Sequence, residues 1–236
     1  MDVNEIMAEL EAKGSESIKK TLLKHGVKEP FFGVKIEYLK PLQKQIKKDY
    51  QLAKELFATR NADAMYLAGL IADDAQMTEA DLQNWAQHAT SNNISEYTVP
   101  WVTAGNPHGF ELALEWIESP VEHIAACGWS ALSNIVALWP DSELDMKKLQ
   151  HLLKRAAQNI SSGDARVSYQ MNNFIISVGS YVYALANEAL AIATEIGQVN
   201  IEKNGTVCKV PIAADCIQKI WNKHGGVAPK KKDVKC

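Results

Sequence analysis

The sequence predicts an all-α protein, and three observations carry that reading. Apolar residues recur at spacings of three and four through most of the 236 residues, which lays them along one face of a helix. Capping and breaking residues divide this pattern into about a dozen segments of roughly 10–17 residues. In one stretch, residues 199–210, the pattern alternates instead about Asn204-Gly205, a favoured two-residue hairpin turn. Helices of this length joined by short loops imply packed pairs. Pairs recurring at roughly 35–45 residues would stack into an array of degenerate repeats, an α-α superhelix with a concave face. An irregular α-bundle is the alternative.

In order along the chain, residues 2–13 form a helix with Ile6 and Leu10 inward. Gly14 ends it and Ser15 caps the next, Glu16 to His25, which stops at Gly26. Pro30 and Gly33 then set Phe31 and Phe32 in a bend. From Ile36 the residues Leu39, Leu42 and Ile46 mark an amphipathic helix whose other faces carry Lys40, Lys44, Lys47 and Lys48. Leu52, Leu56 and Phe57 mark a short helix. Asn61 caps one carrying Met65, Leu67, Leu70 and Ile71. Thr78 and Asp81 form a capping box for a helix that buries Leu82 and Trp85.

Residues 94–104 read as a helix kinked or broken at Pro100, followed by a loop over 105–109. Helices over 110–118 and 121–138 are separated by Ser119-Pro120, and a further helix covers 144–158. Ser161-Ser162-Gly163 is a turn. Two more helices, 166–178 and 183–196, flank Gly179-Ser180. After the hairpin, Pro211 starts a helix through Trp221 that ends at Gly225-Gly226. Residues 1–228 are expected as one domain that includes the hairpin, and the Lys-rich residues 229–236 as a mobile tail.

An apolar content of 47% is enough for a substantial core, and the net charge of −3 conceals an asymmetry. Residues 13–54 hold eleven Lys against four acids, and residues 203–236 hold eight Lys against two. Residues 55–202 hold six basic residues against 18 acids. The two basic segments can border one positive face suited to phosphates, despite the modest net charge. No apolar run approaches the about 20 residues of a membrane span, and the N-terminus is acidic, unlike a signal peptide, so a cytoplasmic protein is expected. The four cysteines lie far apart without a C-x-x-C, and the six histidines make no close pair, so no metal or cofactor is expected. Phosphate loops, H-E-x-x-H and G-x-S-x-G are absent.

Phe31-Phe32-Gly33-Val34-Lys35, followed by a Leu- and Lys-rich helix, resembles the bacterial DNA alkylation-repair proteins built from HEAT-like repeats, the AlkD-like family. Chain length, helical pattern and a basic N-terminal quarter are similar to that family over most of the chain. The resemblance implies a HEAT-like array that binds double-stranded DNA and, in characterised members, releases cationic alkylated purines. In those members a Trp and an Asp four residues apart, an Arg on the next helix pair and a later Trp cradle the alkylated base. The corresponding segment here is Ile94 to Val102, with Glu96 at the Trp position and Pro100 at the Asp position. The Arg position, near Ala125 to Cys127, holds no Arg, and the later Trp position falls near Phe174.

A cationic base favours π faces and a carboxylate. Glu96 and Trp101 are therefore the catalytic candidates, and Tyr97, Trp129, Asn172, Asn173 and Phe174 the candidate base pocket. Lys35, Lys40, Lys44, Lys47, Lys48 and Arg166 are the candidate DNA contacts. Arg166, Tyr169, Asn172 and Asn173 share one side of a helix, as an interhelical hydrogen-bond network or as a ligand contact. The expected function is binding of alkylated or distorted DNA by a monomer, with weak N-glycosylase action on cationic purines. A non-enzymatic helical scaffold for a protein partner is the alternative.

Overall fold

The computed structural model of the chain describes residues 1–24, 26–161, 164–203 and 206–235. Thirteen α-helices account for most of these. Internal contacts divide them into two compact units, Met1–His108 with Lys235, and Gly109–Val234, where the sequence suggested one domain.

The first unit holds α1 (Val3–Ala12), α2 (Glu16–Lys24), α3 (Ile36–Ile46), α4 (Tyr50–Ala58), α5 (Ala62–Ile71), α6 (Glu79–Gln87) and α7 (Val99–Ala104). The starts of α5 and α6 follow the capping residues read from sequence, while Asp2 and Asp49 cap α1 and α4. The Asn61 side chain accepts from Asp63 N–H at 3.1 Å and Ala64 N–H at 3.2 Å, and the Thr78–Asp81 box is closed in both directions. α5 is buried around nearly its whole circumference and packs against α4 and α3. The expected break at Pro100 takes a particular form. Ile94–Thr98 is a π-helical turn running into α7, with Val99 N–H bonded to Ile94 C=O. Pro100, lacking an N–H, sits near the start of α7, where that donor has no required partner.

The second unit holds α8 (Gly109–Trp116), α9 (Glu122–Leu138), α10 (Met146–Asn159), α11 (Ala165–Tyr181), α12 (Ala186–Ile196) and α13 (Ala213–His224). α11 is its centre and packs against α9, α10, α12 and α13. Gly179 and Ser180 do not break this helix as the sequence suggested. A Cβ at Gly179 would lie 2.5 Å from Ile217 Cδ1, so the glycine is the point where α13 closes onto α11. Trp221 Nε1–H donates to Gly179 C=O there at 2.9 Å. Strands β1 (Asn200–Lys203) and β2 (Thr206–Lys209) pair antiparallel, with Ile201 opposite Cys208. The expected turn residues Asn204 and Gly205, His25 and Ser162-Gly163 lie outside the described residues.

The Lys-rich end is held rather than free. Lys230 Nζ lies 2.7 Å from Asp141 and 2.8 Å from Val136 C=O, and Lys231 N–H donates to Ala137 C=O. Lys235 Nζ, in the first unit, lies 2.6 Å from Asp74. Lysines that read as solvated charge find carboxylates and helix-end carbonyls, which offsets the cost of ordering them. Among the described residues no single helix is long and apolar enough to cross a membrane. Only α11 and the segment Tyr183–Ile196 together reach such a composition, and they meet at a 110° bend.

Candidate nucleic-acid interface

The bend before α3 is fixed by one carboxylate. Asp63, in the first turn of α5, accepts from the backbone N–H groups of Phe32 at 2.7 Å, Gly33 at 3.0 Å and Val34 at 3.2 Å. Asn61 already caps α5, which frees Asp63 to reach across. Burial pushes its carboxyl above the ordinary range, partly countered by the three N–H donors and by Lys19. Gly33 has φ +79°, and a Cβ there would lie 2.7 Å from Ser15 C=O, so no other residue fits the bend without strain.

From this anchored start α3 presents a cationic ridge. Leu39 and Leu42 are buried, and Lys40 and Lys44 lie one turn apart on a neighbouring face, followed by Lys47 at the helix end. Lys44, Lys47 and Lys48 are exposed and Lys40 half-buried. Among the described residues Lys40, Lys44 and Lys47 make no ion pair. Lys48 lies 3.8 Å from Asp73 and Lys35 3.5 Å from Glu37, both loose pairs with well-exposed ammonium groups. Lys47 has φ +65° and ψ −117°, a left-handed backbone unusual for a non-glycine residue, while its N–H donates to Gln43 C=O at 2.8 Å. The chain turns sharply there, and Asp49 N–H then bonds to Ile71 C=O.

The catalytic candidates are enclosed. Glu96 is 2% exposed in the π-turn, and Trp101 is 3% exposed with its ring edge-on to Tyr66 at 5.4 Å. Tyr97, 6.1 Å from Trp101, is the one of this group that reaches solvent. In the second unit Trp129 and Phe174 have no exposed surface and meet edge to face at 5.3 Å. They are core partners of α9 and α11, not walls of an open base pocket. Asn172 is equally buried and donates to Pro211 C=O at 2.9 Å, tying the segment after β2 to α11. Asn173 donates to Gln170 one turn back. Arg166 lies over the Tyr169 ring at 5.0 Å, and its backbone N–H donates to Glu122. The polar side of α11 is thus largely an internal network. Its spacing resembled that of a ligand face because both uses require neighbouring polar tips.

One cluster escaped the sequence reading. Tyr50 O–H donates to Asp81 at 2.7 Å, and Lys54 Nζ lies 2.8 Å from Asp81 and 2.9 Å from Tyr50 Oη. Burial raises the Asp81 carboxyl, but bonds from Lys54, Tyr50 and Thr78 outweigh it and lower the pKa to about 2. Bonding to Asp81 and Tyr50 in turn raises the Lys54 ammonium. The signal was present in Tyr50 and Lys54 at i,i+4 and in a capping box with Asp, whose short side chain is shared. Among the described residues no three His, Cys, Asp or Glu side chains gather as a metal site would need.

These features define a predominantly helical protein with a cationic ridge, similar to HEAT-like repeat proteins. A solved structure, described as a new family related to the HEAT-like repeat DNA glycosylases with affinity for branched DNA structures, matches with a TM-score of 0.91. The two share 34% identity over the full length of both chains. The chain belongs to the DNA alkylation repair enzyme family, whose profile matches residues 6–199. An uncharacterised protein of Listeria innocua is 28% identical over 226 residues, covering 93% of this chain and 97% of the relative. One of Listeria monocytogenes is 27% identical over the same coverage.

Proposed function

We propose that the protein is a DNA-binding member of this family that recognises distorted, alkylated or branched double-stranded DNA as a cytoplasmic monomer. The observation that carries the reading is the ridge of Lys40, Lys44 and Lys47, unpaired among the described residues and extended by Lys35 and Lys48. Ammonium groups without carboxylate partners in a chain of net negative charge are suited to phosphates, whose binding releases counterions. Affinity for branched DNA in the family of the structural relative supports the preference for non-linear DNA. Arg166, held on Tyr169, is a weaker candidate contact.

Base excision is not part of this reading. Glu96 and Trp101 are enclosed, so neither side chain is presented to a bound base. Stacking alone would leave at most a weak effect on cationic purines, whose positive charge already favours departure.

The test is an anisotropy titration of labelled duplex and four-way junction with the intact protein and a Lys44→Glu, Lys47→Glu, Lys48→Glu variant. The variant is expected to lose binding at moderate salt. Its residual log affinity against log salt should be shallower by about 2–3, the share of three phosphate contacts. Unchanged affinity and slope would overturn the interface. Labelled methylpurines should leave bound DNA at, or only slightly above, the spontaneous rate. Release that Glu96→Gln abolishes would overturn the binding-only reading.

A further inference from the structure

We infer that the first unit carries a docking slot for a partner protein's acidic peptide, one that inserts an apolar anchor residue. A cavity of about 300 Å³ lies among α2, the bend before α3, α3 and α5. Its walls include Ile18 and Leu22 of α2, Val34 of the bend, Ile36 and Leu39 of α3, and Tyr66 of α5. α2 has no buried residue at all. Its apolar face, Ile18 and Leu22, is turned to this slot and only half covered, and Ile36 is 46% exposed. The volume is at the small end of ligand sites, room for one or two apolar side chains.

The polar groups decide the kind of occupant. Asp63 lines the slot, but its carboxylate is engaged by three backbone N–H groups. Ser91, also in the wall, is 9% exposed, and its hydroxyl has no hydrogen-bond partner among the described residues. A peptide backbone entering the slot can supply that partner. Around it stand cations. Lys35 lines the slot, Lys28 follows the lining residue Val27, and Lys40 lies one turn from Ile36 on α3. Lys28 and Lys40 make no ion pair among the described residues, and the acid beside Lys35, Glu37, is 3.5 Å away and well exposed. An apolar anchor flanked by Asp or Glu satisfies both the slot and its rim. A duplex backbone would satisfy the lysines alone and leave the apolar walls uncovered. The apolar walls separate this inference from the DNA reading, with which it shares Lys35 and Lys40.

The test pans a displayed library of random peptides on the intact protein and measures the enriched peptide by anisotropy. The expected consensus joins a Leu, Ile, Phe or Trp to a run of Asp or Glu. Ile36→Asn, a neutral change at an exposed position that is expected to keep the wild-type melting temperature, should weaken the peptide by about tenfold or more, as loss of an anchor contact does. Lys35→Glu should also weaken it, and the wild-type affinity should fall with salt. Duplex affinity of Ile36→Asn should match the wild type, since the lysine charges are unchanged. No consensus, a consensus without acids, or binding indifferent to Ile36→Asn would overturn the slot. An equal loss of duplex and peptide binding in Ile36→Asn would assign it to nucleic acid. Self-association of the wild type that Ile36→Asn abolishes would assign it to a second copy. Failure of the ridge is read separately, from the lysine triple variant.

Discussion

Replacing Asp63 by Ala should destabilise the protein more than an ordinary surface change. The substitution leaves the N–H groups of Phe32, Gly33 and Val34 without the carboxylate that accepts from all three. Each stranded buried donor costs about 1–3 kcal/mol. Two effects reduce the sum: water can enter from the adjoining slot, and a buried charge disappears whose burial had raised its own pKa. A net loss of about 2–4 kcal/mol remains, or about 5–15 °C in melting temperature for a chain of this size. Asp63→Asn should cost less, since one oxygen can keep the Phe32 and Gly33 bonds while the amide faces the Val34 donor. The pH dependence has a defined sign. The folded pKa is raised, so the folded state keeps the Asp63 proton at a pH where the unfolded chain has lost it. Its contribution to stability therefore falls as pH rises from about 4 through the folded value, and Asp63→Asn removes that slope. Calorimetric melting of the three proteins between pH 4 and pH 8 measures both effects. If Asp63→Ala melts within a degree of the wild type, the bend is held by its flanking helices and this reasoning is refuted.

Two further outcomes follow from packing and charge. Gly179→Ala should cost about 1–3 kcal/mol by pressing a methyl group on Ile217 Cδ1, and Ile217→Val in the same chain should recover part of it; additive losses in thermal melts would refute the close approach. Asp81, lowered to about 2, should stabilise the fold above pH 4 and lose that contribution as pH falls from about 4 to 2. With Lys54 about a third exposed, screening reduces the effect to about 1 kcal/mol, and an acid titration of Asp81→Asn that keeps the wild-type slope would refute it.

The fold was legible wherever a local rule decides a boundary. Asn61 and the Thr78–Asp81 pair cap where their side chains permit, and Gly225, with φ +73°, ends α13. Legibility failed where a distant element decides. Gly179-Ser180 reads locally as a break, but Ile217, 38 positions later, requires a residue without a side chain, and the helix continues through it. Pro100 reads as an interruption, yet it lies near the start of α7 and follows a π-turn in which Ile94, Ser95, Glu96 and Thr98 are buried, a burial that spacing alone does not display. The lysines at the C-terminal end read as solvated because a sequence does not display the carboxylates of Asp74 and Asp141 that receive them.

The candidate site divided along the same line. A lysine on the outer face of an amphipathic helix is exposed for the reason it is visible: the apolar stripe of Leu39 and Leu42 fixes which side is out. An aromatic residue carries no such sign. Trp129 and Phe174 sit at helical spacings that serve a core and a stacking pocket equally, and in α9 and α11 they fill the core. Order along the chain locates a segment of the family's fold but not the direction its side chains face. The spacing that placed Glu96 near a family position thus preserved the architecture, while the residue itself became a buried part of the π-turn. What persists at the surface is charge: Lys44, Lys47 and Lys48 stay exposed on the side of α3 that the apolar stripe leaves outward.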